Sequence, residues 1–118
     1  MSSSADRDDD GLADAVAALA TRARRRNRAR VEQVVRLLGP AGEAVEDPEA
    51  RDHARRLCHA VAGSAGTFGD DELAESARDL EGTLDESPAV DEVVAMVGRL
   101  RDAVPGDERP DPTILRES

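Results

Sequence analysis

The sequence contains no lysine, no tyrosine and no tryptophan, and its single phenylalanine is Phe68. A core without aromatic bulk is built from Leu, Val and Ala, which suits closely packed helices and does not suit an aromatic-rich sandwich or barrel. Strand signals are missing as well, since no run alternates apolar and polar residues with β-branched or aromatic enrichment. Cys58 is the only cysteine, so no intrachain disulfide can form and a reducing cytoplasm fits. No segment approaches the roughly 20 apolar residues of a membrane span. The first eleven residues are rich in Ser and Asp and lack the apolar stretch of a signal peptide. These absences lead to the expectation of a cytoplasmic chain with no membrane insertion.

What is present is charge, small residues and helical periodicity. The 118 residues carry a net charge of −10, which speaks against a general nucleic-acid binder. One basic stretch interrupts the acidic background: Arg22, Arg24, Arg25, Arg26, Arg28 and Arg30. It reads either as a solvated helix face paired with nearby acids or as a docking patch for an anionic partner. The length suits one domain with one core, and a monomer is expected.

Residues 1–10 read as a disordered acidic N-terminus, residues 11–105 as the folded domain, and residues 106–118 as a flexible tail. Leu12, Val16, Leu19, Ala20, Ala23, Val31, Val34, Val35 and Leu38 recur at helical spacing, predicting one long helix or two with a bend near Asn27. Gly39, Pro40 and Gly42 end it. Asp47-Pro48-Glu49 is a helix start, with a capping residue, Pro at the first position and an acid in the first turn. The next helix carries Ala50, Ala54, Leu57, Val61, Ala65 and Phe68 on one face and stops at Gly69. Asp70, Asp71 and Glu72 open a third helix with Leu73, Ala74, Ala77, Leu80 and Leu84 inside. Ser87-Pro88 opens a fourth, with Val90, Val93, Val94, Val97, Leu100 and Val104 inside. Four amphipathic segments with short links predict an all-α, antiparallel four-helix bundle.

The chemistry concentrates in residues 58–69 of the second helix, Cys-His-Ala-Val-Ala-Gly-Ser-Ala-Gly-Thr-Phe-Gly. With Leu57, Val61, Ala65 and Phe68 turned to the core, His59 stands on an outward face. Gly63 lies about 40° around the helix from it and Gly66 about 20°. Each helix-interior Gly costs roughly 1 kcal/mol relative to Ala. In a chain this rich in Ala, the two glycines point to a surface kept clear so that another molecule can reach the imidazole. A lone exposed His on a helix is ordinarily a surface residue, and His53 is read that way. It lies about 120° around the helix from His59, too far for the two to share a metal. Cys58 faces a different direction from His59, so no zinc pair is expected. No P-loop phosphate cradle is present.

This stretch resembles the histidine-phosphotransfer (Hpt) family, whose signature is a His, an apolar residue two on, often Lys three on, then Gly and a small residue, with a small-apolar-Gly ending. His59, Val61, Gly63, Ser64, Ala65, Gly66, Phe68 and Gly69 supply it here. Leu73-Ala74 and Ala77-Arg78-Asp79-Leu80-Glu81 resemble the helix that follows. The resemblance implies that His59 is phosphorylated and that the chain relays the group between receiver-domain aspartates. It implies a response-regulator receiver domain or a hybrid histidine kinase as partner, with Mg²⁺ on the receiver and no cofactor or metal on this chain. One departure stands out, because the position often held by Lys is Ala62. Arg55 and Arg56, one turn before His59, could supply the missing charge or could be ordinary surface arginines.

Two other readings compete. A degenerate Hpt-like bundle could bind a receiver or kinase without phosphotransfer, which the missing Lys keeps open. The chain could instead be the phosphorylated domain of a histidine kinase. Without an ATP-binding region it would not itself be an enzyme, and the initial Met and short tail favour a free-standing protein.

Overall fold

A computed structural model of the chain describes residues 2–39, 41–86 and 88–105, with side chains from residue 11 onward. It contains four helices: α1 (Ser2–Leu38), α2 (Pro48–Thr67), α3 (Asp71–Leu84) and α4 (Val90–Ala103). No strand occurs among the described residues. The pairing order fixes the directions. Arg24 and Asn27 of α1 meet Asp70 and Ser64, while His59 of α2 meets Glu81 of α3. With Gly66 of α2 beside Ala74 of α3, α1 and α2 run antiparallel, as do α2 and α3. α2 packs against both α1 and α3, and α4 lies mainly on α3 with a slight contact to α1.

The helix ends follow from local chemistry. Asp47 caps α2 by accepting the Glu49 N–H at 3.1 Å, and Pro48 occupies the first turn, where its missing N–H leaves no bond unmade. The other end closes through Gly69, at φ +80°, and the Asp70 N–H donating to the Ala65 carbonyl at 2.8 Å. Only Gly takes that backbone conformation without strain. The fourth helix begins at Val90 with Ala89 as its cap, slightly later than the Ser87-Pro88 start expected from sequence.

Of the two forms expected for α1, the long unbroken one is present: it is one continuous helix of 37 residues, with no break at Asn27. It departs from the sequence reading in two ways. It begins at Ser2, so it includes the stretch expected to be disordered. No Gly or Pro stands between Ser2 and Asp10, and extending a formed helix is far easier than nucleating one. In addition, Leu12, Val16 and Leu19, members of the apolar stripe read from the sequence, are exposed, and burial on this helix begins at Ala23. A 37-residue helix is about 55 Å long and a 20-residue one about 30 Å, so the start of α1 runs past its partners.

The core itself is aliphatic. Val31, Val34 and Leu38 of α1 meet Ala54, Cys58, Val61 and Ala65 of α2, and Leu73, Leu80, Leu84, Val93 and Leu100 close it from the other side. The buried stripe of α2 is rotated from the expected one. Cys58 is fully buried, whereas Leu57 and Phe68 are half-buried at the edge. On α4, Val93 and Leu100 are buried while Val90 and Val94 remain exposed. The expected tail, 106–118, lies outside the described residues.

Candidate functional site

His59 sits near the middle of α2. The flanking Cys58 and the buried Val61 and Ala62 lock the helix to the core, and the imidazole projects outward with its side chain 77% exposed. From α3, the half-buried Glu81 carboxylate reaches it, with Nδ1 and Oε2 2.9 Å apart. An ionised carboxylate only accepts hydrogen bonds, so beside it the neutral ring carries its proton on Nδ1 and donates it to Glu81. In that tautomer the Nε2 lone pair is left for a nucleophilic role.

His59, Ala62 and Gly63 of α2 and Arg78 and Glu81 of α3 line one shallow hollow of about 310 Å³. Gly63 is exposed, and a Cβ built on it would touch nothing within 4 Å. A Cβ on Gly66 would come no closer than 4.0 Å, to the Ala74 methyl. Neither glycine is demanded by packing or by a left-handed backbone. Their effect is to leave the flank of His59 bare over two turns.

Across this geometry, a family model of the Hpt domain matches residues 18–105. The chain belongs to the Hpt domain family. Hpt domains are helical phosphotransfer modules of two-component signalling, and membership implies interaction with receiver or kinase domains. No curated protein and no solved structure matches the chain.

Other expected site residues fall differently in this Hpt domain. The guanidinium groups of Arg55 and Arg56 both turn to Asp52, at 3.0 Å each, instead of toward His59. Arg55 in particular holds the Asp52 carboxyl below its ordinary range. The arginine that borders the His59 hollow is Arg78, which sequence spacing on α2 could not reveal because it arrives from α3. Ala62 is buried at the α2–α3 seam. His53 is exposed and borders a separate hollow with Leu37 and Arg56.

Burial, with the nearby Glu81 charge, pushes the Cys58 thiol up to about 12, so it is neither a nucleophile nor a ready metal ligand. Among the described residues no group of three or more His, Cys, Asp or Glu could hold a metal. No described helix is long and apolar enough to cross a membrane. A further hollow, of about 480 Å³ between α1 and α4, is lined by Arg28, Val31, Glu32, Gly98, Arg101, Asp102 and Val104, and offers no nucleophile.

Sequence reading missed the role of Asn27. It is buried, donates from Nδ2 to Ser64 Oγ at 3.1 Å, and accepts from Arg30 Nη1 at 2.9 Å. Beside it, Arg24 forks onto both Asp70 oxygens at 3.0 Å, so the Asp70 side chain is held by α1 and makes no cap bond to its own helix. Part of the basic stretch thus fastens α1 to the α2–α3 turn.

Proposed function

We propose that this Hpt domain relays a phosphoryl group on His59 Nε2 between receiver-domain aspartates. The observation that carries the reading is the Glu81 contact on Nδ1 of an exposed helical imidazole. Nε2 attacks the phosphorus of the aspartyl phosphate. The N–P bond forms as the acyl P–O bond breaks, and the aspartate leaves as a free carboxylate. Because Nδ1 keeps its proton, the phosphorylated ring is cationic, and the Glu81 carboxylate stabilises that charge. The cationic ring is also a good leaving group, so the reverse attack by a second aspartate returns a neutral imidazole in its starting tautomer. Phosphoryl transfer is mainly a matter of positioning and charge neutralisation, and Mg²⁺ is expected on the receiver, not on this chain. An accessible, correctly protonated imidazole is then what this chain contributes.

A receiver domain labelled on its aspartate tests this directly. Label should pass to the protein, vanish with His59→Gln and persist with His53→Gln. The product should be acid-labile and comparatively base-stable, as a phosphoramidate is. A receiver that binds tightly yet never passes its phosphate would establish the docking-only alternative.

A further inference from the structure

Phosphorylation of His59 brings roughly two negative charges into a hollow that already contains the Glu81 carboxylate. Arg78 is the one cation among the five residues that line it. We infer that Arg78 is the phosphate-binding residue of the site, engaging the phosphoryl oxygens on His59 Nε2 from the facing helix. The inference rests on His59 being the phosphoacceptor.

The placement follows from helix geometry. Arg78 stands three residues before Glu81, so both occupy one face of α3, a turn apart. α2 and α3 run antiparallel, which sets Arg78 beside Ala62 and Gly63, one turn beyond His59. Those two residues present a methyl group and no side chain at all, so nothing on α2 stands between the guanidinium and the space above the imidazole. Arg78 is exposed and makes no ion pair with any described residue. It therefore need not abandon a partner to turn to phosphate. Arg55 and Arg56, by contrast, are both engaged by Asp52. A planar guanidinium also offers two parallel N–H donors to two phosphoryl oxygens, a fixed fork that an ammonium lacks.

Phosphoramidate as donor separates this local role from partner docking. Nε2 attacks its phosphorus, the P–N bond breaks and ammonia leaves, with no receiver present. The full-length protein is labelled and the phosphohistidine followed by ³¹P NMR. Arg78→Ala and the near-isosteric Arg78→Gln should each label about threefold to fivefold more slowly, the scale of one exposed charge contact. The pH midpoint of the phosphoryl resonance should rise by a few tenths of a unit in both, because the dianion loses its cation. Arg78→Lys should restore part of each effect, and added salt should shrink the difference from wild type. Thermal midpoints should not move. Arg55→Ala should label at the wild-type rate.

Wild-type labelling and an unshifted midpoint in Arg78→Ala and Arg78→Gln would overturn the Arg78 assignment alone, leaving His59 as acceptor. The same holds if Arg55→Ala is the variant that slows. An unlabelled wild-type protein, or label that survives His59→Gln, would overturn the acceptor reading and Arg78 with it.

Discussion

Glu81 Oε2 lies 2.9 Å from His59 Nδ1, joining the middle of α2 to the last turn of α3. The contact does two separable things, choosing the tautomer and supplying a negative charge. Glu81→Gln keeps an acceptor for Nδ1–H and loses only the charge. Glu81→Ala loses both. Transfer from a labelled receiver should therefore slow about tenfold in Glu81→Ala, the scale of one charge-assisted hydrogen bond, and less in Glu81→Gln. Nitrogen NMR of the ring should show Nδ1–H retained in Glu81→Gln and a mixture of tautomers in Glu81→Ala. Equal transfer rates in all three proteins would remove Glu81 from the site.

Gly63 should behave as a cleared surface. A Cβ there meets nothing within 4 Å, so Gly63→Ala should stabilise the helix by up to about 1 kcal/mol. Gly63→Leu should melt at the same temperature or higher, yet strongly slow transfer, because its side chain stands where the partner must approach. Gly63→Ala should slow transfer weakly. A melting curve and a transfer time course with one receiver measure both effects. A destabilised Gly63→Leu protein would mark Gly63 as a packing residue instead.

Removing the Asn27 side chain should destabilise the bundle without touching the chemistry. Asn27→Ala leaves the Ser64 hydroxyl and Arg30 without a partner in a part-buried place, at a loss of about 1–3 kcal/mol. Denaturant unfolding of Asn27→Ala, Ser64→Ala and the double variant should show coupling between the two positions. Strictly additive losses would mean that the bond contributes nothing.

Alkaline pH offers an unusually clean test of the core. The folded state holds the Cys58 proton up to about 12, whereas the ordinary thiol value is 9.0. Between those values the unfolded chain has lost a proton that the folded chain retains. Stability is thus fully present below about pH 9 and falls as pH rises toward 12. With no Lys and no Tyr in the sequence, the side chains that ordinarily titrate beside a thiol in that window are missing. The thermal midpoint should drop from pH 9 to pH 11 in the wild-type protein and stay nearly level in Cys58→Ala. At pH 8 the native thiol should resist alkylation and react only on unfolding.

Much of the site's outline was legible along the chain, because it is written in one helix. Asp47-Pro48 and Gly69 bracket α2, and a period of 3.6 residues places Gly63 and Gly66 beside His59 whatever surrounds them. Periodicity gave the phase of α2 only approximately, however. Leu57 and Phe68 were expected inside with Val61 and Ala65, yet Cys58 and Ala62 lie deeper. Ala and Cys are small enough to sit at a close helix crossing, and a bulky Leu or Phe serves better at its edge. Hydrophobicity alone does not report that distinction.

The sequence by itself determined the local quantities: helix content, where α2 starts and stops, and a histidine on an open face. Each depends on residues within a turn or two of one another. The tertiary structure decided which side chains from other helices meet that histidine. Glu81 stands 22 positions from His59 and Arg78 faces the same hollow from α3, while Arg55 and Arg56, nearer in sequence, turn to Asp52. It also decided that Arg24 and Asn27 tie α1 to Asp70 and Ser64. The reason is physical: a helix fixes the angle of its own side chains, but the rotation and offset between two helices are set by how their surfaces pack, and no single helix's period contains them.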